Sequence, residues 1–303
     1  MATIDIDAFA KALNLTLLED SGKKSIELHT TEVTRPGLQL AGFFDYFPHN
    51  RVQVFGNVER AYLQNMTDEQ QKLAFDRLFE YEIPCAVASS KFNPSPIMLS
   101  SAKEHGRVVL KSEDQVTSKV EHSLINYLSD TLAPRINMHA VFVDVYGVGV
   151  LIMGESGMGK SETALELIKR GHRLVADDAV IIKRVNEKRL VGEPPEMLRH
   201  LMEIRGVGII NVEHMYGVGA VIASKSVDMV VQLEEWQEDK VYDRLGDETD
   251  TIEILDVKVP NLFIPVRPGR NIAIIIEVAA RNLRLKSMGY SALDELKKRV
   301  EIK

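Results

Sequence analysis

The chain has a single cysteine, Cys85, in 303 residues. One thiol cannot close an intrachain disulfide, so packing must hold the fold, and a reducing, cytoplasmic setting is expected. Long apolar runs are missing as well. The most apolar stretch near the C-terminus, residues 272–276, is stopped by Glu277, well short of the ~18 residues of a membrane span. No membrane partner is expected. The opening residues, MATIDIDAFA, carry acids where a signal peptide would have a basic region and then an apolar stretch. Positive charge is in deficit, with 37 Lys and Arg against 44 Asp and Glu and a formal net charge of −7. A nucleic-acid binder would show a basic face, so nucleic acid is not expected as a partner, although a local basic cluster is not excluded. Repeats and low-complexity segments are absent.

What is present is ordinary globular composition: 45% hydrophobic and 27% charged residues, which excludes wholesale disorder. At roughly 100–200 residues per domain the length implies about two domains. The first part reads as α/β material. Residues 25–33 are a strand candidate, and Pro36-Gly37 is a turn signal. Thr67 and Gln70 make a capping-box pattern ahead of a stretch in which Leu73, Phe75, Leu78 and Phe79 lie near helical spacing, read as an amphipathic helix. Residues 83–89 and 107–110 read as strands. Residues 113–130 read as a helix through Val116, Val120, Leu124 and Leu128, which must end before Pro134. The boundary is placed there, giving an N-terminal α/β domain over 1–132, which shows no catalytic cluster and is expected to have a regulatory or structural role, and a second domain over 133–303.

The second part opens with two apolar runs, residues 138–145 and 148–153, read as strands around a Tyr146-Gly147 turn. Residues 172–183, 220–223, 228–233 and 252–259 are further strand candidates, and a helix is expected after Asn271. The short turns imply antiparallel pairing, hence a mixed rather than purely parallel sheet.

Between the second apolar run and the following helix lies Gly154-Glu155-Ser156-Gly157-Met158-Gly159-Lys160-Ser161. It fits the phosphate-binding pattern G-x-x-x-x-G-K-[ST] at each fixed position. The glycines let backbone N–H groups approach phosphate oxygens, and the helix points its positive end at the anion. Lys160 reaches the β- and γ-phosphates, and the Ser161 hydroxyl is the expected ligand for Mg²⁺. A Gly-rich strand–helix turn without ligand is the bland alternative, but both flanks match. This chain is expected to bind a nucleotide or a similar polyphosphate.

The loop does not say where the γ-phosphate goes. Asp144, Glu234 and Asp256 each end an apolar run, and so does the pair Asp177-Asp178. Two adjacent acids inside an apolar run are costly unless paired, hydrated or bound to metal. On a strand they would face opposite sides, one toward the metal region and one toward the substrate. An edge-strand pair facing solvent is the alternative. On spacing alone, His139 reads as an ordinary core or surface histidine more readily than as a catalytic one; Glu203 and Arg205 lie in a segment made bendable by Gly206 and Gly208, either a loop feeding a strand or a place where Arg205 offers a fork to phosphate; and Arg244 is usually just a solvated charge.

Taken together, GESGMGKSE at 154–162, LVADDAV at 174–180, EIRGVGIINV at 203–212, YDRLG at 242–246, PVRPGR at 265–270 and RPGLQLAGFF at 35–44 resemble the bacterial HPr kinase/phosphorylase family over almost the whole chain. The resemblance implies a C-terminal P-loop catalytic domain similar to the phosphoenolpyruvate carboxykinase core. It implies phosphorylation of a serine of HPr, the phosphocarrier protein of the sugar phosphotransferase system, with ATP and Mg²⁺. It also implies removal of that phosphate by inorganic phosphate to give pyrophosphate, a homohexameric assembly and control of carbon catabolite regulation.

By the same resemblance Asp178 is the base, Glu203 a second Mg²⁺ ligand, Asp177 a support for the metal, and His139 and Arg244 catalytic. Glu203, Ile204, Arg205, Gly206, Val207, Gly208, Ile209, Ile210, Asn211 and Val212 serve both reactions. Pro265, Val266, Arg267, Pro268, Gly269 and Arg270 serve dephosphorylation. Arg205, Arg244, Arg267 and Arg270 are expected to converge on the phosphates. Rival readings are a small-molecule kinase, a nucleotide-gated regulator without the base, and a lyase like phosphoenolpyruvate carboxykinase.

Overall fold

Alternation of short apolar runs with amphipathic stretches gives α/β architecture throughout the computed structural model, which describes residues 1–236, 250–267 and 269–301. The chain folds as two units, Met1–Ala133 and Pro134–Lys303.

The N-terminal unit runs β1 (Ala2–Asp5), α1 (Ile6–Leu13), β2 (Thr16–Glu19), β3 (Ser25–Leu28), β4 (Val33–Thr34), α2 (Gly37–Leu40), β5 (Val52–Phe55), α3 (Asn57–Leu63), α4 (Asp68–Glu80), β6 (Ala86–Ala88), α5 (Pro96–Glu104), β7 (Val109–Lys111) and α6 (Thr117–Leu132). Five strands form a sheet in the order β2-β7-β6-β5-β4. Strands β4 to β7 are parallel, and one hydrophobic cluster fills each face. The capping box forms: Thr67 N–H donates to Gln70 Oε1 (2.9 Å) and Gln70 N–H to Thr67 Oγ1 (3.3 Å). That cap fixes where α4 begins. Its buried stripe is Ala74, Phe75, Leu78 and Phe79, while Leu73 stays exposed.

Several expected elements shift. Residues 25–33 are two strands rather than one, because the polar stretch between them separates β3, paired with β1, from β4, paired with β5. Pro36-Gly37 opens the one-turn helix α2 instead of a simple turn. Helix α6 starts at Thr117, not near Glu113, since the Ser112 hydroxyl holds residues 112–115 in a turn by accepting from Gln115 N–H (3.1 Å).

The C-terminal unit runs β8 (Arg135–His139), β9 (Val141–Val145), β10 (Val148–Met153), α7 (Lys160–Lys169), β11 (Arg173–Ala176), β12 (Ala179–Asn186), β13 (Arg189–Glu193), β14 (Leu201–Ile204), β15 (Gly208–Asn211), α8 (Val212–Tyr216), β16 (Lys225–Ser226), β17 (Met229–Glu235), β18 (Thr251–Ile254), β19 (Val257–Val266), α9 (Ile272–Ser287) and α10 (Ala292–Glu301). The central sheet has the order β11-β9-β10-β17-β19-β18 and the second sheet β16-β13-β12-β8. The central sheet is mixed: β10–β17 and β17–β19 are parallel, while β9–β10 is antiparallel. Val150, Leu151, Ile152, Val230 and Val231 are fully buried, and each such side chain contributes about 1.5–3 kcal/mol.

Two of the expected strands break where the chain changes sheet. Residues 138–145 divide at Ala140 into exposed β8 and fully buried β9. Residues 172–183 divide at Asp177-Asp178 into β11 and β12. The acid pair therefore sits in the crossing between sheets rather than on a strand. Asp178 has φ 67°, a left-handed conformation that aspartate tolerates better than most residues. Residues 252–259 form a hairpin, β18–β19, turning at Leu255 and Asp256, both with positive φ. Asp256 is thus a turn residue, bonded by Arg184 (2.6 Å). Residues 220–223 make only an isolated bridge, Leu174 with Val221, because this apolar run fills the core instead of extending a sheet. Among the described residues, no helix is long and apolar enough to cross a membrane.

Candidate active site

Strand β10 ends at Met153, and the Gly-rich loop then turns back to start α7. Gly159 is the residue before the helix, with φ 79° and no side-chain cap. The first N–H groups of α7 therefore point outward without a side-chain acceptor, the arrangement that receives a phosphate. Gly157 is constrained twice: its φ is 95°, and a Cβ would lie 3.1 Å from Arg205 Nη1. Lys160 is buried, and its Nζ donates to the carbonyl oxygens of Gly154 (2.8 Å) and Glu155 (3.1 Å). The ammonium is thereby held inside the loop that would carry the anion.

The sheet crossing brings the two acids to this loop with different surroundings. Asp177 is buried. Its Oδ1 accepts from the Ser161 hydroxyl (2.9 Å) and its Oδ2 from Glu203 N–H (3.0 Å). Burial raises its carboxyl above the ordinary range, and the Asp178 charge adds to that; the hydrogen bonds from Glu203 and Ser161 oppose the rise. Asp178 is open, its side chain 64% exposed, with Oδ1 3.0 Å from Nδ1 of His139. The pairing of β8 with β12 sets Ala179 opposite His139 and makes this contact.

Residues 203–211 belong to the hairpin β14–β15, with Glu203 opposite Ile209 and Ile204 opposite Gly208, and Val212 opens α8. Its tip carries Arg205, which donates to Ser156 Oγ of the phosphate loop (2.8 Å). The remaining residues of the segment divide between surface and support. Val207 and Ile209 are exposed, Val212 is in the core, and Asn211 caps α8 by accepting from His214 N–H (2.9 Å).

His139, Asp177, Asp178, Glu203 and Arg205 line one cleft of about 170 Å³ with the phosphate loop. Arg267 and Arg270 do not line it: Arg267 lies over the Trp236 ring, and Arg270 donates to Pro265 O (3.1 Å). Arg244 and Pro268 lie outside the described residues. Of the three described arginines expected to converge on the phosphates, Arg205 alone lines the cleft.

The cleft fits Mg²⁺ as a phosphate companion rather than as a protein-caged ion. Among the described residues no three His, Cys, Asp or Glu side chains come close enough to hold a metal ion alone. Mg²⁺ at phosphoryl-transfer sites takes one or two carboxylates, with phosphates and waters completing the shell. Ser161 Oγ and the Asp177 carboxylate, already in contact, with Glu203 alongside in the cleft, could supply that set.

Asp144, which also ended an apolar run, is buried far along β9 and held by Arg173 and by Lys225 (3.6 Å), so it has a structural partner instead of a place in the cleft. Trp236, the chain's one tryptophan, directly follows β17, and its ring lies against the Arg267 guanidinium.

Residues 4–128 match the family described as HPr Serine kinase N terminus, and residues 130–300 match HPr Serine kinase C-terminal domain. Among curated relatives, the HPr kinase/phosphorylase of Thermoanaerobacter sp. (strain X514) is 51% identical over 300 residues, covering 99% of this chain and 98% of the relative. The HPr kinase/phosphorylase of Caldicellulosiruptor bescii is 52% identical over 292 residues, covering 96% and 94%. A solved structure of the HPr(Ser) kinase/phosphatase from Coxiella burnetii is 36% identical, covers 53% of this chain and 98% of that one, and superposes with a TM-score of 0.48.

Proposed function

The chain belongs to the HPr serine kinase family and is a kinase-type phosphotransferase, and from that premise we propose that it phosphorylates a serine of HPr with ATP and reverses the reaction with inorganic phosphate. The observation that carries this reading is the exposed Asp178 carboxylate at the mouth of the phosphate-loop cleft, oriented by His139 at 3.0 Å. A nucleotide-gated regulator would have no use for such a group, and the relatives' name favours a protein serine over a small-molecule acceptor.

In the forward direction the serine Oγ forms a bond to the γ-phosphorus, and the bond from that phosphorus to the β,γ-bridging oxygen breaks. A neutral hydroxyl is a poor nucleophile, so Asp178 takes its proton as the new bond forms. Lys160 releases its two loop carbonyls for phosphate oxygens, and the N–H groups at the start of α7 hold the charge that develops on the leaving diphosphate. Mg²⁺, held by Ser161 and Asp177 with Glu203, would neutralise charge on the bound phosphates. Arg205, which donates to Ser156 Oγ of the loop and lines the same cleft, is the described arginine placed to add positive charge there.

In the reverse direction an oxygen of hydrogen phosphate bonds to the phosphorus of phosphoserine, and the bond to serine Oγ breaks. Asp178 passes to Oγ the proton that hydrogen phosphate gives up, so serine and pyrophosphate result with charge balanced. Two dianions must approach one another, which makes cationic side chains more important in this direction. Arg244 and residues 265–270 are assigned to that need. A homohexamer in the cytoplasm acting in carbon catabolite regulation completes the proposal.

The test uses purified HPr. Incubation with ATP and Mg²⁺ is expected to give seryl-phosphorylated HPr, and addition of inorganic phosphate to that product is expected to release pyrophosphate. Phosphate release as orthophosphate alone, or no transfer to HPr, would refute the assignment.

A further inference from the structure

The guanidinium carbon of Arg267 stands 3.4 Å from the centroid of the Trp236 ring. The topology explains why these two meet. Trp236 follows the last residue of β17 and Arg267 the last residue of β19, and these strands are parallel neighbours with Glu235 opposite Val266. The next register position sets Trp236 beside Arg267, with side chains on the same face. On the other side of β17 lies β10, whose end becomes the phosphate loop; Met153 is in register with Gln232, and a Cβ on Gly154 would meet Leu233 O at 2.8 Å. Adjacent parallel strands thus deliver the phosphate loop, the tryptophan and the arginine to one edge of the sheet. In open α/β sheets this carboxyl edge is where ligands bind.

The form of the contact matters. Arg205 and Arg270 each use an Nη donor on a protein oxygen, Ser156 Oγ and Pro265 O respectively. A guanidinium resting on an indole face is held by its π surface and keeps its in-plane N–H donors available. Those donors form the fork that suits a phosphate.

We propose that Trp236 is a positioning residue for the phosphorolysis direction: its ring holds Arg267 exposed at the sheet edge with its donor fork free for a phosphate. The inference rests on the assignment of residues 265–270 to dephosphorylation. Trp236 acts through Arg267, so its loss mimics the loss of Arg267 and adds nothing once Arg267 is gone.

The experiment compares Trp236→Leu, Trp236→Phe, Arg267→Ala and the double variant Trp236→Leu/Arg267→Ala, each assayed with HPr in both directions. Kinase activity serves as the control for folding. Trp236→Leu is expected to lower pyrophosphate formation by roughly tenfold with kinase activity within about twofold. Trp236→Phe, which keeps an aromatic face, is expected to recover most of that loss, and the double variant to match Arg267→Ala. Tryptophan emission, excited at the red edge where the tyrosines do not absorb, arises from Trp236 alone and is expected to change in Arg267→Ala. Unchanged emission, equal loss in both directions for Trp236→Leu beside a selective Arg267→Ala, or additive loss in the double variant overturns the inference alone. If Arg267→Ala itself weakens both directions equally, the loop assignment fails and the inference falls with it.

Discussion

Glu59 in the N-terminal unit and Asp178 in the C-terminal unit are both carboxylates with a basic partner, yet their surroundings are opposite. The Glu59 side chain is 2% exposed; it accepts from Gly56 N–H (2.8 Å) and Arg35 Nη2 (2.6 Å), and so ties the start of α3 to the end of β4. Asp178 is 64% exposed and touches one imidazole, with the rest of its carboxylate open. The same contrast holds more widely. In the N-terminal unit Asp76 is shared by Lys72, Ser101 and His105, and Cys85 is sealed in the core. In the C-terminal unit Lys160, Ser161 and Arg205 hold only partners that an arriving phosphate or metal could replace. In the first unit these polar groups are closed into structure, whereas the second gathers exchangeable partners at a helix N-terminus, which is where the proposed function places the chemistry.

The sharpest way to break this comparison is to remove the cation of the phosphate loop. Lys160→Met is expected to lower phosphoryl transfer by about 10²–10³-fold, the range for losing one preorganised charge stabiliser, with little change in unfolding. Steady-state transfer to HPr beside a thermal melt checks it; a large loss of stability with modest loss of rate would put Lys160 among the structural groups.

The opposite outcome is expected of Glu59→Ala. It leaves the buried Gly56 N–H unpaired and Arg35 without its main partner, at a cost of about 1–3 kcal/mol because Arg35 is partly exposed. Urea unfolding is expected to show that drop while transfer per folded molecule stays within about twofold. A selective loss of rate would bring the N-terminal unit into the reaction.

The smallest effect concerns Cys85, whose thiol burial pushes its pKa up to about 12. The thiolate is the reactive form, so the folded protein is expected to resist alkylation at neutral pH and keep its activity, and to label only on unfolding. Rapid labelling of the native chain, followed by mass spectrometry, would show that this core opens.

Much of this division was legible in the residues. The phosphate loop carries its own spacing, and the Thr67–Gln70 box marks a helix start because both side chains reach only the local backbone. The sheet crossings were not legible. The split at Ala140 and the left-handed Asp178 depend on which of two sheets each half joins, a choice made by distant strands. For the same reason the His139–Asp178 contact was invisible: one antiparallel register sets side by side two groups that lie 39 positions apart in the chain. Trp236 and Arg267 meet only because β17 and β19 are parallel neighbours, which a Gly-poor turn at Leu255 and Asp256 concealed.

Asp178→Asn tests the central claim most directly, because it preserves shape and removes the proton acceptor. Transfer to HPr and phosphorolysis of phosphorylated HPr are to be measured side by side, with ATP binding followed by equilibrium titration. The account predicts that both rates fall by roughly 10²–10⁴-fold while ATP affinity is retained within a few-fold. Near-normal phosphorylation by Asp178→Asn, with the nucleotide bound as before, would contradict it.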